Sequence, residues 1–240
     1  MKMILCGNYN EMSATAADMV ADEIKNNPKC ILGLATGSTP VGMYEKLARM
    51  NANGILDFSQ IRTFNLDEYY PIAADNPQSY HRFMNENFFS HINIKPENTH
   101  ILDGMCADPE AECERFENEI QLSGGIDLQI LGIGRNGHIG FNEPSENLNL
   151  LTHMTELTES TVEANSRFFE NADEVPRRAL TMGIGSIMRA KKIILMASGE
   201  DKRDAVRSLL TNAITTEMPA SMLKLHKDVT IICDRKAYGD

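Results

Sequence analysis

The sequence predicts an α/β fold, one mostly parallel sheet covered by helices on both faces. Two observations carry this. Short apolar runs alternate along the chain with longer stretches of helical period, the pattern of strand–helix–strand units. The clearest run, 127–131, is apolar and branched and then stops at a cluster of glycines, as a doubly covered strand does where it leaves its sheet.

In chain order, residues 3–6 form a first short strand. Residues 12–26 form a helix with Ala14, Ala17, Met19, Val20 and Ile24 on its apolar face. Residues 31–35 are a second strand, followed by Thr36-Gly-Ser-Thr-Pro40 and a helix to residue 50. Residues 61–66 make a third strand that ends at Asp67. Residues 79–89 are helical and 99–102 a short strand. Residues 109–121 form a helix with glutamate at its start, where the helix dipole favours anions. After the strand at 127–131 comes a polar, mixed stretch at 151–175, expected to be a mobile lid. A short helix at 183–189, a strand at 192–197, a helix at 201–210 and a last strand at 229–233 complete the pattern. With no repeat, low-complexity tract or Pro/Ser-rich linker, residues 1–240 are expected to form one domain.

Charge narrows the partners. A net charge of −11 and a pI of about 5.0 argue against nucleic acid or an anionic membrane, both of which need a basic face. A small anionic ligand remains possible, since it needs only a local positive pocket. Cys6, Cys30, Cys106, Cys113 and Cys233 are odd in number and show no pairing pattern. The N-terminus runs straight into polar residues, so no secretory leader is expected, and a reducing cytoplasm fits these thiols. No apolar run approaches membrane length.

The residues that carry chemistry gather after strands. Gly132, Gly134, Gly137 and Gly140 arrive within nine positions, a density that demands tight turns or close approach. Asn136, His138 and Glu143 lie in this loop, and a titratable imidazole there looks catalytic. The loop also matches the Gly-x-Gly-x-x-Gly dinucleotide pattern, but no helix opens at its third glycine, so no nucleotide cofactor is expected. Thr36, Gly37, Ser38 and Thr39 before Pro40 read either as a phosphate cradle at a helix N-terminus or as an ordinary cap. Asp67, followed by Glu68, Tyr69 and Tyr70, suits a general base of adjustable pKa, or a turn aspartate. Arg167, flanked by Ser166 and Phe168, is either an anion clamp in the lid or a surface arginine lying over aromatic rings. Lys202 after Ser198-Gly199 is either a second phosphate contact or solvated helix surface.

Taken together, Thr36-Gly-Ser-Thr-Pro40, Phe64-Asn-Leu-Asp-Glu-Tyr-Tyr70, Leu131-Gly-Ile-Gly-Arg-Asn-Gly-His-Ile-Gly-Phe-Asn-Glu-Pro144, Asn165-Ser-Arg-Phe-Phe169 and Ser198-Gly-x-x-Lys202 resemble the glucosamine-6-phosphate deaminase (isomerase) family, in the same order and across nearly the whole chain. The resemblance implies a Rossmann-like three-layer sandwich. It implies conversion of glucosamine 6-phosphate to fructose 6-phosphate and ammonia, without a redox cofactor or metal. By the same resemblance, Asp67 is the base at C2 and His138 shuttles the ring-opening proton. Glu143 and Asn136 orient His138, and Thr36, Gly37, Ser38, Thr39, Arg167 and Lys202 hold the phosphate.

Two departures matter. Many family members carry aspartate where Asn136 stands, so Asn136 is expected to orient rather than to transfer protons. The allosterically activated hexamers of the family bear a basic pair soon after the Phe-Asn-Glu-Pro block and a longer tail. Here residues 150–155 hold no Arg or Lys and the chain stops at Asp240. A monomer, not activated by N-acetylglucosamine 6-phosphate, is expected. Two alternatives stay open. One is a related 6-phosphogluconolactonase, which usually has an arginine soon after the strand-end acid. The other is a sugar-phosphate sensor domain, which would need a DNA-binding helix pair and a basic face.

Overall fold

The computed structural model describes residues 1–166, 169, 171 and 174–240. The elements follow one another as β1 (Lys2–Cys6), α1 (Tyr9–Asn26), β2 (Ile31–Leu34), α2 (Val41–Ala52), β3 (Arg62–Asn65), β4 (Asp67–Tyr70), α3 (Tyr80–Asn87), β5 (Thr99–His100), α4 (Pro109–Leu122), β6 (Leu128–Leu131), β7 (His153–Glu156), α5 (Glu159–Ser166), β8 (Arg178–Thr181), α6 (Ile184–Met188), β9 (Lys192–Ala197), α7 (Arg203–Leu209), β10 (Val229–Asp234) and α8 (Arg235–Tyr238).

Seven strands form one sheet in the order β1-β10-β9-β6-β2-β3-β5. Every pairing in it is parallel. Alternate side chains therefore enter two separate cores. Ile194, Met196, Leu32 and Leu34 pack with α1, α2 and α3 on one face. Ile193, Leu195, Ile31 and Phe64 pack with α4, α6, α7 and α8 on the other. This is the three-layer sandwich expected from the sequence, and burial on both faces explains why the strands lack polar alternation. No helix among the described residues is long and apolar enough to cross a membrane.

Caps set the helix boundaries. The expected start of the first helix at residue 12 is three residues late. Asn8 accepts a bond from Glu11 N at 3.0 Å and Gly7 N donates to Glu11 Oε2 at 2.7 Å, so the helix opens at Tyr9. Asp108 caps α4 through bonds from Glu110 N and Ala111 N at 3.0 and 3.1 Å. The expected helix over 201–210 splits, with a single 3-10 turn at Glu200–Lys202 before α7.

A second sheet, β4-β8-β7, is antiparallel and was not foreseen. Asp67 does not simply end the third strand. It starts β4 after the chain has turned at Leu66. The stretch expected to be a lid holds β7, paired with β8, and α5. The sequence did not show this strand, because β7 is half exposed and carries His153 and Glu156, which read as polar loop. Tyr69, Phe141, Leu157, Val162 and Ala179 form a small core beneath this sheet.

Glu68 joins the second sheet to the first layer of helices. It is fully buried and accepts from Tyr69 N, Tyr80 N and His81 N at 2.9, 2.9 and 3.0 Å. With Ser79 Oγ accepting from Arg82 N at 3.0 Å, the first three N–H groups of α3 are all satisfied by side chains. Glu68→Ala strands these buried donors. It is expected to lower unfolding free energy by about 3 kcal/mol, read as a lower urea midpoint at unchanged slope.

Candidate active site

Strand order reverses between β2 and β6. The chain builds outward from β2 to β3 and β5, then returns to β6 on the other side of β2 and continues to β9 and β10. At such a reversal the loops after neighbouring strands diverge and leave a crevice at the carboxyl ends. Four loops from adjacent strands β9, β6, β2 and β3 meet there. They carry Lys202, the glycine loop, residues 36–40 and Asp67 respectively.

The glycine loop is organised by one carboxylate. Glu143 is 8% exposed. Its Oε2 accepts from Asn136 Nδ2 at 2.6 Å and lies 3.2 Å from His138 Nδ1. Its Oε1 accepts from the Thr161 hydroxyl. Burial alone would raise the Glu143 pKa, but His138, Thr161 and Asn136 outweigh it and hold it down at about 2. An ionised carboxylate accepts only, so His138 donates to it from a protonated Nδ1, and in the neutral ring the lone pair is on Nε2. Asn136 also accepts from His138 N at 3.2 Å. Its amide thus donates to one partner and accepts from the other, which an aspartate could not do.

Two glycines allow this packing. A Cβ on Gly134 would fall 2.3–2.4 Å from the His138 ring, so the imidazole lies flat against bare backbone. Gly140 has φ of +58°, and a Cβ there would meet Thr181 Oγ1 at 2.9 Å and Asp67 Oδ2 at 3.6 Å. Asp67 therefore lies beside the loop that carries His138, two residues from it in sequence at Gly140.

Asp67 is a different acid. It is 6% exposed and pairs in β4–β8 register with Thr181. Burial, and then the neighbouring Glu68 charge, push its pKa up to about 8. Burial likewise raises Glu68 to about 7, against three backbone hydrogen bonds that lower it. Tyr80 hydrogen-bonds to Tyr69 and Thr36 and feels the Asp67 charge, which links the loop after β2 to the acid after β3.

The remaining expected residues divide. The loop of Gly37, Ser38 and Thr39 precedes α2, with Pro40 as the helix cap. Tyr9 braces this loop, its hydroxyl donating to Ser38 O at 3.0 Å and accepting from Gly42 N at 2.8 Å. Lys202 is largely buried, 20% exposed, with Asp201 at 3.6 Å. Arg135 of the glycine loop also reaches Asp201, at 3.1 Å, so the loops after β6 and β9 are tied together. Arg167 lies outside the described residues. Among the described residues no cluster of His, Cys, Asp and Glu is arranged to hold a metal.

Sequence reasoning missed Thr161, Thr181 and Tyr9. Each acts from an element distant in sequence: Thr161 reaches Glu143 across 18 positions and Thr181 reaches Phe141 N across 40. Only the acid after Asp67 was visible, without its role as an anchor for α3.

Comparison with known proteins places the chain. Residues 8–232 match the family model for glucosamine-6-phosphate isomerases/6-phosphogluconolactonase. A glucosamine-6-phosphate deaminase of Thermoanaerobacter sp. (strain X514) is 57% identical over 99% of this chain and 94% of its own. One of Halothermothrix orenii is 54% identical over 99% and 98%. A solved monomeric glucosamine-6-phosphate deaminase superposes with a TM-score of 0.98 at 48% identity, covering 100% of this chain and 99% of its own. A 6-phosphogluconolactonase of Thermotoga maritima shares the fold at a TM-score of 0.73 and 24% identity, over 97% and 98%.

The raised pKa of Asp67 has a stability consequence. In the unfolded chain its carboxyl ionises near 3.8, but in the fold only near 8. Below the first value it costs nothing. Between the two the unfolded state sheds a proton that the fold retains, so stability falls as pH rises. Asp67→Asn is expected to gain stability over the parent as pH goes from 4 to 8, by about 1.4 kcal/mol or more at the upper end. Thermal unfolding of both proteins across this range measures it.

Proposed function

The chain belongs to the family of glucosamine-6-phosphate isomerases and 6-phosphogluconolactonases, and from that premise we propose that it is a glucosamine-6-phosphate deaminase. It converts glucosamine 6-phosphate and water to fructose 6-phosphate and ammonia. Beyond the relatives, one observation carries this reading: Asp67 Oδ2 stands 3.6 Å from the Cβ position of Gly140, in the loop that holds the His138–Glu143 pair. A base and a proton shuttle so placed suit a sugar that must both open and isomerise.

The bound sugar begins as a closed ring. Opening it takes a proton from the anomeric hydroxyl and delivers one to the ring oxygen. His138 does this through Nε2, with Glu143 supporting the positive charge that the ring acquires. In the open aldehyde, Asp67 removes the C2 proton and the electron pair forms an enolamine. Reprotonation at C1 leaves an imine at C2, water adds there, and ammonia departs. Burial, and then the Glu68 charge, raise Asp67 to about 8. The substrate's ammonium group beside it favours the ionised form, so the base is prepared by the molecule it acts on. The phosphate is held by Gly37, Ser38 and Thr39 before α2, with Thr36 oriented through Tyr80, and with Arg167 and Lys202 as cationic contacts. A local anchor of this kind lets a chain of net charge −11 bind an anion.

A monomer fits the 48% identical solved deaminase, itself described as monomeric, and free thiols at all five cysteines fit a reducing cytoplasm. Activation by N-acetylglucosamine 6-phosphate is not expected, and neither nucleic acid nor membrane is a partner.

A coupled assay should detect ammonia from glucosamine 6-phosphate at millimolar concentration. No ammonia, with hydrolysis of 6-phosphogluconolactone instead, would make the chain a lactonase. Asp67→Asn should cut turnover roughly 10²–10⁴-fold and abolish hydrogen exchange at C2. Exchange at the native rate would remove Asp67 from that role. His138→Gln should slow the ring-closed sugar far more than an open-chain analogue, and equal slowing of both would exclude it from ring opening. Light scattering should give a mass near 26.8 kDa.

A further inference from the structure

The Thr161 hydroxyl meets Glu143 on the oxygen that the histidine does not use. Asn136 and His138 both address Oε2, while Thr161 donates to Oε1. Among the described residues no other side chain is bonded to that oxygen. Thr161 is 5% exposed.

Its position is set by α5. The Thr158 carbonyl accepts from Thr161 N at 3.0 Å and Val162 N at 2.9 Å, which opens the helix. The Thr158 hydroxyl lies 3.2 Å from that of Thr161. Val162, the next residue, is buried in the small core beneath the second sheet. A β-branched side chain on an anchored helical turn has little rotamer freedom.

We propose that Thr161 is a positioning residue for the Glu143–His138 pair. By occupying Oε1 it fixes the plane of the carboxylate, so that both lone pairs of Oε2 stay on Asn136 and His138. A buried carboxylate oxygen without a donor is unfavourable, and the group turns to recover one. Such a turn takes Oε2 away from His138 Nδ1 and loosens the tautomer that keeps Nε2 basic. Helix α5 thus reaches the Glu143–His138 pair through one hydroxyl.

This inference rests on the deaminase reading. Thr161→Val preserves shape and removes the donor, and Thr161→Ser restores it. The valine variant is expected to lose about tenfold in kcat, the size of a hydrogen bond to a charged group, with KM changed by less than about twofold. The serine variant should recover most of the loss. In protein labelled with ¹⁵N-histidine, the ligand-free His138 signals should show Nδ1 protonation in the parent and the serine variant. In the valine variant the proton should redistribute toward Nε2. Should valine prevent folding, Thr161→Ala takes its place in both measurements. Unchanged kcat and unchanged His138 signals in a folded variant would overturn the proposal, as would a loss confined to KM. If the parent releases no ammonia, the reading of function fails, while the histidine spectra still decide the role of Thr161.

Discussion

Everything in this molecule that bears on chemistry depends on the reversal of strand order between β2 and β6. A fully parallel sheet must be crossed over by helices on both faces, and its strands all point their carboxyl ends the same way. The turns leaving β9, β6, β2 and β3 therefore open on one edge, and the reversal keeps them from being closed by connections that run the same direction. Residues separated by more than 160 positions, Thr36 and Lys202, come from strands with only β6 between them. At the usual spacing that is roughly 10 Å of sheet.

At that end of the sheet, two buried acids take opposite characters. Glu143 and Asp67 are exposed to a similar small degree. Glu143 is surrounded by donors and is held near 2, whereas Asp67 has an acidic neighbour and is pushed to about 8. Burial penalises the charge on both, and hydrogen bonds reverse the result for only one. A pair of carboxyls driven apart in this way can hold an imidazole in one tautomer and remove a proton from carbon, tasks that need different pKa values.

The second sheet explains how the parts are joined. Asp67 and Glu68 are successive residues of β4, so their side chains leave on opposite faces. One goes to the glycine loop at Gly140, the other to the start of α3. Thr181 of β8 lies against the same glycine and accepts from Phe141 N at 3.0 Å. The small aromatic core of Tyr69, Tyr80 and Phe141 fills the space between, with ring centroids 4.9–6.2 Å apart.

The parallel sheet, the placement of its helices and most residues of the candidate site were legible in the sequence, because those signals are local. Apolar runs of strand length, helical periods and glycine clusters need no knowledge of the fold, and Asp67, Asn136, His138 and Glu143 all stand beside such signals. The second sheet was not legible, since β7 and β8 are short and polar on one side and pair across more than twenty residues. Nor could the sequence assign Thr161 to Glu143 or Glu68 to α3, because hydrogen bonds between distant segments leave no periodicity. By itself the chain determined which groups stand at the strand ends. Only the tertiary structure decided their protonation, because a carboxylate's charge depends on the donors and charges that folding brings around it.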